Sequence, residues 1–317
     1  MGLLTRFLAR FEPVGIDDSD LAEALERAAY RVEPHLKQTR GWPKRYRRPI
    51  AAALIQARRV SEAIPGPMEI DVEQFARAPF VRALFGSADD IHRILHASQA
   101  IRDYTASTLR DEVYALLSMR RVEKNTLGVE SAGEIVRREV PQQHVWFTDH
   151  QLSGLAPSES EARENLLWTL FDHFLERVRV GVERLKAERD RLAREKDLAL
   201  AHLRGVSSAR RPELRKILDG ELKQLTEITE SLDLERLAEV FATVLSHPED
   251  CLYLQEYSLA LDNMGVVRPK DPTVASLGFV DLVERYQEPR TVVLVRCRNI
   301  QPISQSERLQ EARRWLA

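Results

Sequence analysis

Cysteine is nearly missing from this chain: two in 317 residues, Cys251 and Cys297. With no C-x-x-C pair, a structural zinc site built on thiolates is excluded. Both cysteines sit in apolar stretches and read as buried free thiols, with a disulfide open only if their strands are neighbours. Glycine is also scarce, at 13 residues. None form G-x-x-x-x-G-K-[ST] or G-x-G-x-x-G, so a glycine-rich phosphate cradle is not expected. G-x-S-x-G and H-E-x-x-H are missing too, which lowers the standing of the common hydrolase and metalloprotease chemistries. No apolar run approaches the roughly 20 residues that span a bilayer. No secretory core with a cleavage site is present, and Arg6 stands where a myristoylation signal wants Ser or Thr. The expected location is cytoplasmic. The formal net charge of −2 gives no chain-wide field for a polyanion.

What is present supports a packed protein. Apolar residues make up 44% of the chain and charged residues 30%, enough for a core with an excess suited to long solvated helices. Leu3, Leu4, Phe7, Leu8 and Phe11 share one helical face. Packing on the protein's own core is favoured over peripheral membrane contact by residues 1–12, because one three-turn helix holds a membrane weakly. Acidic Asp17 to Asp20 opens a helix to about Val32, with Leu21, Leu25, Ala28, Ala29 and Val32 as its apolar stripe. A basic link, Lys37 to Arg48, leads to a helix over Ile50–Ile64 with Pro49 in its first turn. Asp71 and Gln74 read as a capping pair for a helix to about Phe85, which Pro79 kinks or splits. Ser87 and Asp90 open another, to about Thr105.

After Leu109 the pattern turns β-like. Strands are expected over Val113–Val122, Glu134–Val140 and Val145–Leu152, with turn signals in Asn125–Gly133 and a break near Pro141. Ser158 and Glu161 form a capping box before a helix running to Arg204. Leu175, Val178, Val182, Leu185, Leu192, Ala199 and Leu203 give it a 3-4 seam, interrupted by Arg189 and Lys196. Gly205–Ser208 turns the chain, and Pro212 starts a returning helix with weak points at Gly220 and Ser231–Asp233. Three β-like stretches follow, Cys251–Asp262, Phe279–Tyr286 and Thr291–Arg298, and then a terminal helix over Ser304–Leu316.

The fold class is therefore a helix-rich α+β protein. Residues 1–108 form a helical domain, 109–157 and 248–317 supply one mixed or antiparallel sheet, and 158–247 form an inserted, coiled-coil-like helical hairpin.

Few residues point to chemistry. Asp89, His92 and His96 share a helical face, and two histidines four apart can reach one ion, so they are the candidate metal ligands of a metal-dependent enzyme. His144, Trp146 and His150 fall on one face of a strand, with Asp149 on the other, which weakens a His–Asp pairing. Asp172, His173 and Glu176 read as a polar stripe. Arg40, Trp42, Lys44, Arg45, Tyr46, Arg47 and Arg48 form a basic-aromatic segment that suits phosphates and stacked bases, the basis of a nucleic-acid-associated alternative. Arg204, Arg210, Arg211, Arg215 and Lys216 put positive charge at the hairpin tip. The leading expectation is a non-enzymatic scaffold or adaptor with no cofactor, whose projecting hairpin meets a partner protein or a second copy.

Overall fold

The computed structural model describes residues 16–300, apart from 39–40, 109, 111, 133–134, 206–210, 232–236, 246, 270, 286 and 299. The amphipathic start at residues 1–12, Arg40, Arg210 and the terminal helix at 304–316 lie outside the described residues. The fold is α+β and helix-rich. In chain order the described elements are α1 (Asp18–Val32), a 3-10 turn (Pro34–Gln38), α2 (Lys44–Ala63), β1 (Met68–Ile70), α3 (Val72–Arg77), α4 (Pro79–Leu84), α5 (Ala88–Ala97) and α6 (Gln99–Ser107). Then come β2 (Glu112–Ala132), β3 (Ile135–Ala156), α7 (Glu159–Gly205), α8 (Arg211–Ser231), α9 (Leu237–Val244), a 3-10 turn (Pro248–Asp250), β4 (Leu252–Ala260), β5 (Ser276–Glu284) and β6 (Arg290–Arg298).

The chain forms two compact units, each drawn from two stretches of sequence. A helical unit takes the described residues up to Arg59 together with Thr169–Glu249; a sheet unit takes Val60–Trp168 and those from Asp250 on. Helices α2 and α7 each begin in one unit and continue in the other. This division departs from the four segments read from sequence. Residues 60–107 join the sheet unit because β1 lies parallel to β6 and because Val81, Leu84, Ile91 and Ile101 of α4–α6 share the sheet's apolar core.

In the helical unit, the α1 stripe of Leu21, Leu25, Ala28, Ala29 and Val32 is buried as expected. Helix α2 starts earlier than its sequence suggests. Its first turn lies in the basic link, and Pro49 falls inside the helix. The physical reason is tertiary: Tyr46 is buried with its ring edge-on to Phe241, 5.3 Å away, and Trp42 packs on Tyr46 at the same distance. Aromatic burial of this kind outweighs the local cost of an interior proline's missing N–H. Helix α7 runs unbroken for 47 residues, about 70 Å at 1.5 Å per residue. Leu175, Val178, Val182, Leu192 and Ala199 of its seam are buried, while Leu185 is half-buried. Ser158 caps its start: its hydroxyl accepts from the Glu161 N–H at 3.3 Å, and donates to the Glu161 carboxylate at 2.9 Å in place of the reciprocal backbone bond of a full capping box.

Nearby, Asp172 takes ion pairs from Arg27 (3.3 Å) and Arg31 (2.8 Å), and Glu176 pairs with Arg179. Burial still holds the Asp172 carboxyl above its ordinary range despite the two guanidinium groups.

The sheet unit carries strands in the order β3-β2-β6-β5-β4, antiparallel throughout, with β1 parallel to β6. The β-rich segments on either side of α7–α9 thus share one sheet, as expected. Its first hairpin is far longer than read from sequence. β2 continues through Asn125–Ala132, and β3 continues through Pro141, which stands opposite Leu127. A proline without an N–H is tolerated on a strand whose other side lacks a full partner, and β3 ends the sheet order. The loop after β4 then folds the sheet back on itself. Leu261 bridges Val267, His144 of β3 bridges Val266, and Val145 N–H donates to Gly265 O at 2.8 Å. These bonds join the β4 end of the sheet to β3 and make the curl closed at that point.

Two glycines are required by these approaches. A Cβ on Gly265 (φ +73°) would stand 2.7 Å from Val145 O, and one on Gly66 (φ +120°) would stand 2.2 Å from Leu294 O. The Leu294 N–H donates to Pro65 O at 2.8 Å, so this close contact continues the backbone bonding of β6. Cys297 lies in β6 and Cys251 just before β4; both are buried and free, and burial pushes the Cys297 thiol up to about 12.

The helix expected to about Phe85 is split at Ala78 into α3 and α4, and the one expected to about Thr105 is split at Ser98 into α5 and α6. Pro79 explains the first break. At the second, the Ser98 hydroxyl accepts from Ile101 N–H, a local cap that competes with helix continuation. Asp71 accepts from Gln74 N–H at 2.7 Å, the capping contact read from sequence.

Candidate ligand-binding cleft

β3 runs beside the short helices α4–α6 and the loop Leu261–Gly265, all in the sheet unit. Together they line an open cleft of 1410 Å³. Such a volume exceeds that of a typical small-ligand pocket. Its wall is built by alternation along β3. Val145 and Phe147 are buried, whereas His144 and Thr148 are half-buried and Trp146 is exposed, and all five border the cleft. Trp146 is 40% exposed.

A bulge then breaks the period. Ser118 pairs with Gln151 and Arg120 with Thr148, so Met119 stands opposite two residues, Asp149 and His150. Asp149 takes a left-handed φ of 53°, a conformation that Asp tolerates better than most residues. Arg290 clamps it: its guanidinium donates to the Asp149 carboxylate at 2.7 Å, to Asp149 O at 2.6 Å and to Ser118 Oγ at 3.3 Å. The Arg290 bond holds the Asp149 carboxyl below its usual range. Asp149 borders the cleft beside His150, and its ionic partner is Arg290.

His150 stacks on Phe85, with centroids 5.1 Å apart and planes within 15°. Its Nε2 lies 2.8 Å from Leu84 O. A carbonyl only accepts, so Nε2 carries the proton and donates. Burial lowers the imidazole's pKa, more than the Leu84 carbonyl and nearby aspartates raise it. The neutral ring therefore leaves Nδ1 as an acceptor.

The loop at the far end is tied together by Asp262. Asp262 accepts from the N–H groups of Met264 and Val266, each at 2.9 Å, and pairs with Arg268 at 3.2 Å. Burial works to raise the Asp262 carboxyl, but these donors together hold it below its ordinary value. From α4, Arg82 donates to Asn263 Oδ1 at 2.9 Å and to Ala76 O at 3.3 Å.

The expected site residues fall elsewhere. Asp89 and His92 are exposed on α5, and the His92 and His96 rings stack 5.7 Å apart within 8° of parallel. Among the described residues, no three His, Cys, Asp or Glu side chains gather closely enough to hold a metal. Of the basic-aromatic segment, Tyr46 is buried and Arg47 pairs with Asp18, whereas Lys44, Arg45 and Arg48 are exposed. Lys216 is exposed; Arg204, Arg211 and Arg215 lie on helical backbone of α7 and α8. His144, Trp146, Asp149 and His150 were singled out from sequence and do come together in the cleft. Arg82, Lys124 and Asn263 were not. The Asp262–Gly265 stretch carries a turn signal, but nothing local says that it docks on β3.

No family model, no curated protein and no solved structure matches this chain.

Proposed function

We propose that this chain is a non-enzymatic interaction protein that joins another chain through the distal part of α7 and through α8. The observation that supports this reading is the unbroken 47-residue course of α7. Its seam is satisfied as far as Ala199, yet leucines on its other faces and on α8 remain in solvent. Leu198 is 62% exposed, Leu200 38% and Leu222 40%. A second copy of the chain is the partner to test first, since homo-oligomers are the commonest assemblies of soluble proteins.

The test is sedimentation velocity across a concentration series. It compares the intact chain with one in which Arg189–Leu222 is replaced by a short loop, and with the triple variant Leu198→Glu/Leu200→Glu/Leu222→Glu. The expected result is self-association of the intact chain, lost in both variants while helical circular dichroism remains. An intact chain that stays monomeric, or association unchanged by the deletion, overturns the reading. No described helix is long and apolar enough to cross a membrane.

A further inference from the structure

We propose that the cleft of the sheet unit binds a small organic anion: a molecule with one acidic head, such as a carboxylate, sulfonate or phosphate, on a flat or acyl body. Charge balance carries the argument. Three carboxylates line the cleft, and each already has its cation. Asp90 pairs with Arg93, Asp149 with Arg290 at 2.7 Å and Asp262 with Arg268 at 3.2 Å. Arg82 and Lys124 also line it, and neither has a carboxylate partner among the described residues. The surplus is two positive charges. That suits a mono- or dianion, whereas a nucleic-acid strand needs many more phosphate contacts.

The two cations border the same end of the cleft. Arg82 is held by Asn263, and Lys124 stands opposite His144, which bridges Val266 just beyond that loop. Arg82's bonds go to neutral oxygens, which orient the guanidinium without discharging it. The body of the ligand has its surfaces nearby. Trp146 offers an exposed ring, Met264 is 82% exposed, and Phe75, Ile94 and Leu152 line the cleft. The neutral His150 supplies an acceptor for a hydroxyl or amine on that body.

The experiment uses the full chain and two probes of nearly the same shape: 8-anilinonaphthalene-1-sulfonate, and N-phenyl-1-naphthylamine, which lacks the sulfonate. Fluorescence titration with calorimetric stoichiometry is run on the parent, Arg82→Gln, Lys124→Gln and, as a control in the helical unit, Arg48→Gln. The expected result is saturable binding of about one sulfonate probe per chain. Lys124→Gln and Arg82→Gln each weaken it about tenfold, because one charge-assisted contact is lost, and removing the sulfonate, which loses both, weakens it by more than either. Arg48→Gln leaves it unchanged. Lys124 is exposed on β2, so its variant carries the test even if Arg82→Gln lowers the melting temperature. Absence of saturable binding, parent-like affinity in Lys124→Gln, or equal affinity for the uncharged probe overturns the proposal.

Discussion

His150 shows how a single side chain is set by its surroundings. On sequence it shares one strand face with His144 and Trp146; in the structure a bulge at Asp149, an Arg290 clamp and a stacked Phe85 decide its environment. Its folded pKa lies below the ordinary 6.5. Below about pH 6.5 the unfolded chain takes up a proton that the folded chain refuses. Stability from this group is therefore fully present above about pH 6.5 and lost as pH falls from there through the lower folded pKa, with a slope of at most about 1.4 kcal/mol per pH unit. Urea titrations between pH 7.5 and 5.5 should show this component in the parent and not in His150→Gln. Equal slopes in the two proteins would assign the pH dependence elsewhere. None of this was legible from residue type, because the αL backbone of Asp149 depends on the register between two strands. By contrast Asp71 and Ser158 announce their caps locally, within three residues, and each cap forms.

Among elements, the strands β4, β5 and β6 are joined by a buried polar chain. The Thr291 hydroxyl donates to the Asp281 carboxylate at 2.6 Å, so the Tyr257 hydroxyl, 2.9 Å away, donates to Thr291. Arg121 of β2 stands 4.0 Å over the Tyr257 ring and 3.5 Å from Asp281. Burial is the main reason that the Tyr257 phenol is pushed up to about 12. Phe279 stacks on Tyr257 from β5 and on Phe80 from α4, so aromatic packing surrounds the polar chain. Thr291→Val keeps the shape but removes both bonds, leaving Asp281 and Tyr257 only their contacts with Arg121, at a cost of about 2–4 kcal/mol; Tyr257→Phe removes one neutral donor and costs about 1 kcal/mol. Denaturant unfolding measures both. Equal costs would mean that the network adds little beyond packing. Strand existence was readable here from β-branched and aromatic runs, but the partnering of β1 with β6 was not. Three residues carry no periodic signal, and their pairing spans over two hundred positions.

For the molecule as a whole, each unit is completed by a later part of the chain. β2 and β3 precede the long helices, whereas the β6 strand that pairs with β2 follows them. A fragment of residues 60–168 alone would leave Val113, Ala115, Leu117 and Met119 without β6 and without Phe279, Val293, Val295, Cys297 and Ile300 of their shared core. It should therefore be unfolded or aggregated. Co-expressed with residues 250–317, it should give a complex with β-type circular dichroism and one cooperative melt. Cooperative folding of 60–168 alone would contradict this assignment.

What the amino-acid order decided by itself is what local physics can decide: helix against strand for the long periodic segments, the caps, the break at Pro79, and the α+β class. What only the tertiary structure decided is the placing of surfaces far apart in sequence. Tyr46 drew the basic link into helix α2 by packing on Phe241, α4–α6 left the helical segment for the sheet's core, and the Asp262–Gly265 turn met β3 to make a cleft. The reason lies in range. Backbone preference acts over three or four neighbours, while burial of apolar area rewards any two surfaces that fit, whatever their separation along the chain.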